Sequence, residues 1–196
     1  MHTTPALLLR RYPFTETSLI AVWFTQDFGK IRTTAKGARR PSSPFAGKMD
    51  LFYHCEVAFS VNKRESDLHS LREISLISSF PGIRQSWLKT STAAYFSELI
   101  DQSSETFHPI PEIFDLLQRA FDFLHRSIPY PRAILFFEKE LCRIHGLLPP
   151  NTSSHPSPHS LLHLSPSLFK SRQSLLQKLA SETDSQPQPH RNSVRD

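Results

Sequence analysis

A chain of 196 residues with 38% hydrophobic content and 15 phenylalanines has enough apolar mass for one large packed domain or two small ones. Its formal charge of +5 points toward a polyanionic partner, while 16 prolines against only 5 glycines argue against a glycine-cradled nucleotide site. Two cysteines without a Cys-x-x-Cys spacing form no disulfide framework, so a reducing cytoplasm is expected. The apolar run Ala6–Leu9 is too short for a signal-peptide core or a bilayer span, and no membrane attachment is expected.

The first 80 residues read as strands. Ala6–Tyr12 is apolar and then basic, and Ser18–Thr25 is β-branched and aromatic. Lys30–Lys36 follows the turn at Asp27–Gly29. Leu51–Val61 alternates, with Leu51, Tyr53, Cys55, Val57, Phe59 and Val61 on one face of a half-buried strand. Leu68–Ser78 is the fifth. Five strands without a convincing long helix imply a small barrel or sandwich, with residues 37–48 as its longest connection.

The period changes after Pro81. Residues 83–101 read as a helix with Trp87, Leu88, Tyr95, Phe96 and Leu99 toward a core. A second helix starts at Pro111, with Ile113, Leu116, Leu117, Ala120, Phe121 and Leu124 at helical spacing. A third runs from Pro131 to about His145, with Gly146 as its stop. Residues 147–165 read as a Pro/Ser/His-rich linker, Ser167–Ala180 as a last amphipathic helix, and 181–196 as a disordered tail. The expected division is 1–80, 81–180 and the tail.

No enzyme signature stands out: there is no Gly-x-Ser-x-Gly elbow, Walker-type loop or His-Glu-x-x-His pair. Glu138 and Glu140 read as solvated helix charges. Cys142 and His145 are three apart on a helix, and His155, His159 and His163 are four apart among prolines. None forms the clustered tetrad a closed zinc site needs, so no metal and no cofactor are expected.

The stretch Gly29–Met49 is different. It holds six cations, Lys30, Arg32, Lys36, Arg39, Arg40 and Lys48, and no acid. Lys30, Arg32 and Lys36 can alternate along one strand face, and Gly37 and Gly47 allow close backbone approach. With Arg10 and Arg11 these residues form a candidate phosphate-tracking groove, and the cations of the stretch are expected to stand unpaired. Tyr12, Phe14, Phe24, Phe28 and Phe45 are candidates to stack on bases, although some must belong to the core. The 37–48 loop is expected to order on nucleic acid.

The blocks "ETSLI" (Glu16–Ile20), "FTQDFGK" (Phe24–Lys30) and "AKGARRPSSPFAG" (Ala35–Gly47) resemble the N-terminal domain of the bacterial RecO recombination mediators. "LREISLISSFPGIR" (Leu71–Arg84), "RAILFFEKELCRIHGLLP" (Arg132–Pro149) and "LFKSRQSLLQKL" (Leu168–Leu179) continue the resemblance. It implies a five-stranded OB-fold barrel followed by an all-helical domain. It also implies a non-enzymatic, cytoplasmic, nucleoid-associated repair factor that binds single- and double-stranded DNA and anneals complementary strands. With RecR, such a protein assists RecA loading onto DNA coated by single-strand-binding protein. The four-cysteine zinc motif of many relatives has no counterpart among these residues. The alternatives are an RNA-binding barrel, or a protein scaffold that works through its helical half.

Overall fold

The computed structural model describes residues 1–62, 67–148 and 164–184. Five strands, β1 (His2–Pro13), β2 (Leu19–Thr25), β3 (Gly29–Ala35), β4 (His54–Ser60) and β5 (Leu68–Ser78), close into a barrel in the order β1-β2-β3-β5-β4. The one parallel pairing, β3 with β5, seals it, and closure leaves no free sheet edge. A short 3₁₀ turn (Pro81–Gln85) leads to helices α1 (Trp87–Ser103), α2 (Pro111–Arg126), α3 (Pro131–Ile144) and α4 (Pro166–Asp184). The expected barrel followed by helices is the architecture found, and the barrel has OB-fold topology.

Strand alternation builds two cores. Ala6, Leu8, Ala21, Trp23, Ile31, Cys55, Val57 and Phe59 fill the barrel. The intervening residues of β1 and β2, Leu7, Leu9, Val22 and Phe24, point outward into a second core shared with the helices. Ala6–Leu9 is therefore apolar without interruption because both faces of β1 are covered there. Burying each such leucine or phenylalanine contributes roughly 1.5–3 kcal/mol, which fastens the helices to the barrel.

Local signals set the element ends. Ser86 caps α1, its hydroxyl accepting from the Leu88 amide, and Pro111 and Pro131 open α2 and α3. Gly146, at φ 71, ends α3: its amide donates to Arg143 O and the Leu147 amide to Cys142 O. Gly29 (φ 64) is held more tightly, because a Cβ there would lie 2.1 Å from the His108 carbonyl oxygen.

Several expectations need correction. The fourth strand starts at His54, because Phe52 (φ 69) turns the chain, although the Phe52 amide and the Tyr53 carbonyl still bond to Leu8. Phe52 and Phe80, both at positive φ, meet the Phe121 ring edge-on, a tertiary contact that offsets their backbone strain. Trp87 is 55% exposed rather than core, with the Lys178 ammonium over its ring. Helix α4 extends to Asp184, past the expected end at Ala180. Most of the expected linker (149–163), with His155, His159 and His163, and the tail segment 185–196 lie outside the described residues.

Candidate nucleic-acid interface

Lys30 and Arg32 lie on the outer face of β3, with Ile31, Thr33 and Ala35 pointing inward. Lys36, expected to continue that alternation, lies past the strand's end at Ala35, in the turn that follows. Barrels of this topology commonly bind ligands on the face of their second and third strands. Here α1 covers part of that face. Arg10 pairs with Glu98 and, at 2.8 Å, with Asp101. Lys30 lies 3.3 Å from the Asp101 carboxylate and also donates to its main-chain carbonyl. Arg11 pairs with Asp50 at 2.9 Å, a carboxylate shared with Arg84, and Arg32 donates to the Tyr12 hydroxyl at 2.8 Å. The expectation of unpaired cations is thus corrected for Lys30, and Arg10 and Arg11 are paired as well. Their partners come from α1 and from the residue just past the basic stretch. Asp50 adjoins the stretch in sequence, whereas Glu98 and Asp101 carry only the i, i+3 spacing of one helix edge and were missed.

The other end of the patch stays open. Lys36, Arg39 and Arg40 are exposed and Lys48 is half-buried, and none has an acidic partner among the described residues. Their segment is built from consecutive turns. Successive turns link Gly37 to Arg40, Arg40 to Ser43, Ser43 to Ala46 and Phe45 to Lys48. Phe45 and Met49 anchor it in the barrel core. Arg39 ties it to the β1–β2 turn, its amide donating to Thr17 O at 3.0 Å and its guanidinium to Thr15 O at 3.2 Å. Between the two runs a cleft of about 400 Å³ lined by Phe14, Thr15, Thr17, Ser18, Thr34, Lys36, Gly37 and Arg40. The structure also separates the candidate stacking rings. Phe24 and Phe45 are core, Phe28 and Tyr12 are half-buried, and Phe14 is 53% exposed.

Other reactive groups are shielded. Burial pushes the Cys55 thiol up to about 12 and the Cys142 thiol to about 11, so neither is a ready nucleophile. Burial, and then the neighbouring His108, lower the His145 pKa. No group of three or more His, Cys, Asp or Glu side chains among the described residues is arranged to hold a metal ion. Glu138, expected in solvent, is only 3% exposed and receives hydrogen bonds from Tyr95 and Arg172. No helix among the described residues is long and apolar enough to cross a membrane.

Residues 1–80 match the family model described as "Recombination protein O N terminal", and residues 84–156 match "Recombination protein O C terminal". Several proteins named "DNA repair protein RecO" are similar. That of Syntrophus aciditrophicus (strain SB) is 29% identical over 148 residues, covering 76% of this chain and 57% of the relative. That of Rhodopirellula baltica is 31% identical over 144 residues, covering 74% and 53%. That of Salinibacter ruber is 37% identical over 123 residues, covering 63% and 46%. The chain spans about half the length of the curated relatives it matches. With matches to both domain models along one chain and an OB-fold barrel followed by helices, the chain belongs to the RecO family of DNA repair proteins.

Proposed function

We propose that this chain is a non-enzymatic DNA-binding factor of recombinational repair that grips phosphates with Lys36, Arg39, Arg40 and Lys48 at the open end of the basic patch. The observation that carries the reading is that these cations project from an anchored, turn-built loop and find no carboxylate among the described residues. Arg10, Arg11, Lys30 and Arg32 border the same surface and extend its positive field, three of them partly neutralised by the acids they meet. Annealing follows from charge: two polyanionic strands repel less when both lie on a cationic surface. The step needs no acid, base or nucleotide.

Association with the nucleoid follows from DNA binding. Cooperation with RecR in loading RecA onto DNA coated by single-strand-binding protein is the family role the resemblance implies, and we assign the protein contacts to the helical half. The exposed apolar side chains Ile128, Tyr130 and Phe136 support that assignment.

A salt titration with single-stranded DNA tests the binding. Four phosphate contacts give a slope of log K against log salt of roughly −3, and Lys36→Ala with Arg40→Ala makes it shallower by about 1.4, with melting unchanged. An unchanged slope and affinity in that variant would overturn the reading. Competition with a matched RNA oligonucleotide separates DNA from RNA preference, and indifference to both at low salt would favour the protein scaffold.

A further inference from the structure

Resting on the DNA-binding reading, we infer that the cleft between the β1–β2 turn and the loop after β3 is a nucleotide subsite. It takes one unstacked base on the ring of Phe14 and the flanking phosphates on Lys36 and Arg40. The ring, 53% exposed, and both cations line the same cleft of about 400 Å³. The turn that carries the ring is pinned. The Phe14 and Thr15 amides donate to Ser18 O at 3.0 and 3.4 Å, and the Ser18 amide donates to Thr15 Oγ1 at 3.1 Å. From the opposite side, Arg39 donates to Thr15 O. A ring carried on a pinned turn gives up little backbone freedom when a base stacks on it.

One of the cations also rests against its own turn. The aliphatic stem of Arg40 lies over Gly37, where a Cβ would sit 3.7 Å from Arg40 Cδ and where φ is +70. Glycine therefore allows the backbone to turn at positive φ, and Arg40 beside it is exposed. Thr15, Thr17, Ser18 and Thr34 line the rest of the cleft, the Thr15 and Thr34 hydroxyls bonded to the Ser18 amide and the His69 carbonyl.

The chemistry distinguishes single strands from duplexes. Phosphates are present on both, so Lys36 and Arg40 bind either form. A base inside a duplex has both faces covered by its neighbours, so Phe14 can stack only on a single strand or on a base already displaced.

The test compares full-length wild-type, Phe14→Ala, Phe14→Trp and Lys36→Ala/Arg40→Ala proteins on a thymidine oligonucleotide, the same strand with abasic sites, and a duplex of equal length. Phe14→Ala should weaken binding to the thymidine strand about five- to a hundredfold. Duplex affinity should stay within about twofold, and wild type and Phe14→Ala should bind the abasic strand alike. Phe14→Trp should keep single-strand affinity, with its added fluorescence falling on the thymidine strand and not on the duplex. Equal losses on both DNA forms, no loss on either, or an unresponsive tryptophan would overturn the stacking subsite. If the double cation variant is weak while Phe14→Ala is normal, the subsite alone fails. If the double variant also binds as wild type, the DNA-binding reading fails with it. Should Phe14→Ala melt early, the tryptophan response decides the matter.

Discussion

Glu138 carries a buried charge whose compensation lies on two other helices. Tyr95 of α1 donates to it at 2.6 Å, and Arg172 of α4 makes a two-pronged pair at 2.6 and 2.7 Å. Burial and the adjacent carboxylate keep the Tyr95 hydroxyl protonated far above its usual range, and the hydrogen bond to Glu138 raises the Arg172 pKa. Removing one member of such a pair strands the other. Glu138→Ala should cost about 3–5 kcal/mol in urea unfolding, whereas Glu138→Leu with Arg172→Leu should cost much less, since no charge is then left without its partner. At Gly29 the constraint is steric. Gly29→Ala must meet the His108 carbonyl, so it should lower the melting temperature clearly, whereas Gly47→Ala, with open space around it, bears only the strain of its φ.

Three elements each enclose an imidazole. His54 on β4 lies against Phe114, His69 on β5 against Phe107, and His145 caps α3. The Nε2 atom of each has no hydrogen-bond partner among the described residues. Burial lowers all three pKa values; Asp122 and Asp67 oppose it weakly for His54 and His69, and His108 reinforces it for His145. In the fold the rings stay neutral at pH values where the unfolded chain, at about 6.5, takes up protons. Stability is therefore complete above about pH 6.5 and declines as pH falls from there toward the lowered folded values. Melting scanned from neutral to mildly acidic pH should show a falling midpoint, and replacing His54 by Gln should flatten the decline. The same burial predicts that Cys55 and Cys142 resist a thiol reagent at mildly alkaline pH in the folded protein and react only after denaturation.

Across the whole molecule, α1 does two jobs. Its apolar side, Leu88, Tyr95, Phe96 and Leu99, closes the second core, and its acidic edge, Glu98 and Asp101, receives Arg10 and Lys30 from the barrel. The basic surface is thereby divided into a part that holds the barrel to the helices and a part without acidic partners among the described residues. Two double variants should separate the parts. Arg10→Ala with Lys30→Ala removes partly buried ion pairs, so it should lower stability by about 1–3 kcal/mol and change the salt slope of DNA binding less than the loss of Lys36 and Arg40 does. Lys36→Ala with Arg40→Ala should do the reverse. Paired measurements of melting and of salt-dependent affinity check both.

Local chemistry in the sequence determined the elements. The alternation of Val57 and Phe59, the helical spacing from Ile113 to Leu124, the prolines at 111 and 131 and the stop at Gly146 act over a few residues, and each appears where the sequence puts it. The blocks around Ala35–Gly47 made the family legible as well. The fate of individual charges and rings was not legible, because it depends on what arrives from far along the chain. Asp101 meets Lys30 across 71 residues, and Arg172 meets Glu138 across 34. Phe14 precedes the basic run and Phe45 lies within it, yet the first points to solvent and the second fills the barrel. Periodicity assigns a side chain to a face of its own element; only packing between elements decides whether that face is covered, and with it which cations remain free for a phosphate.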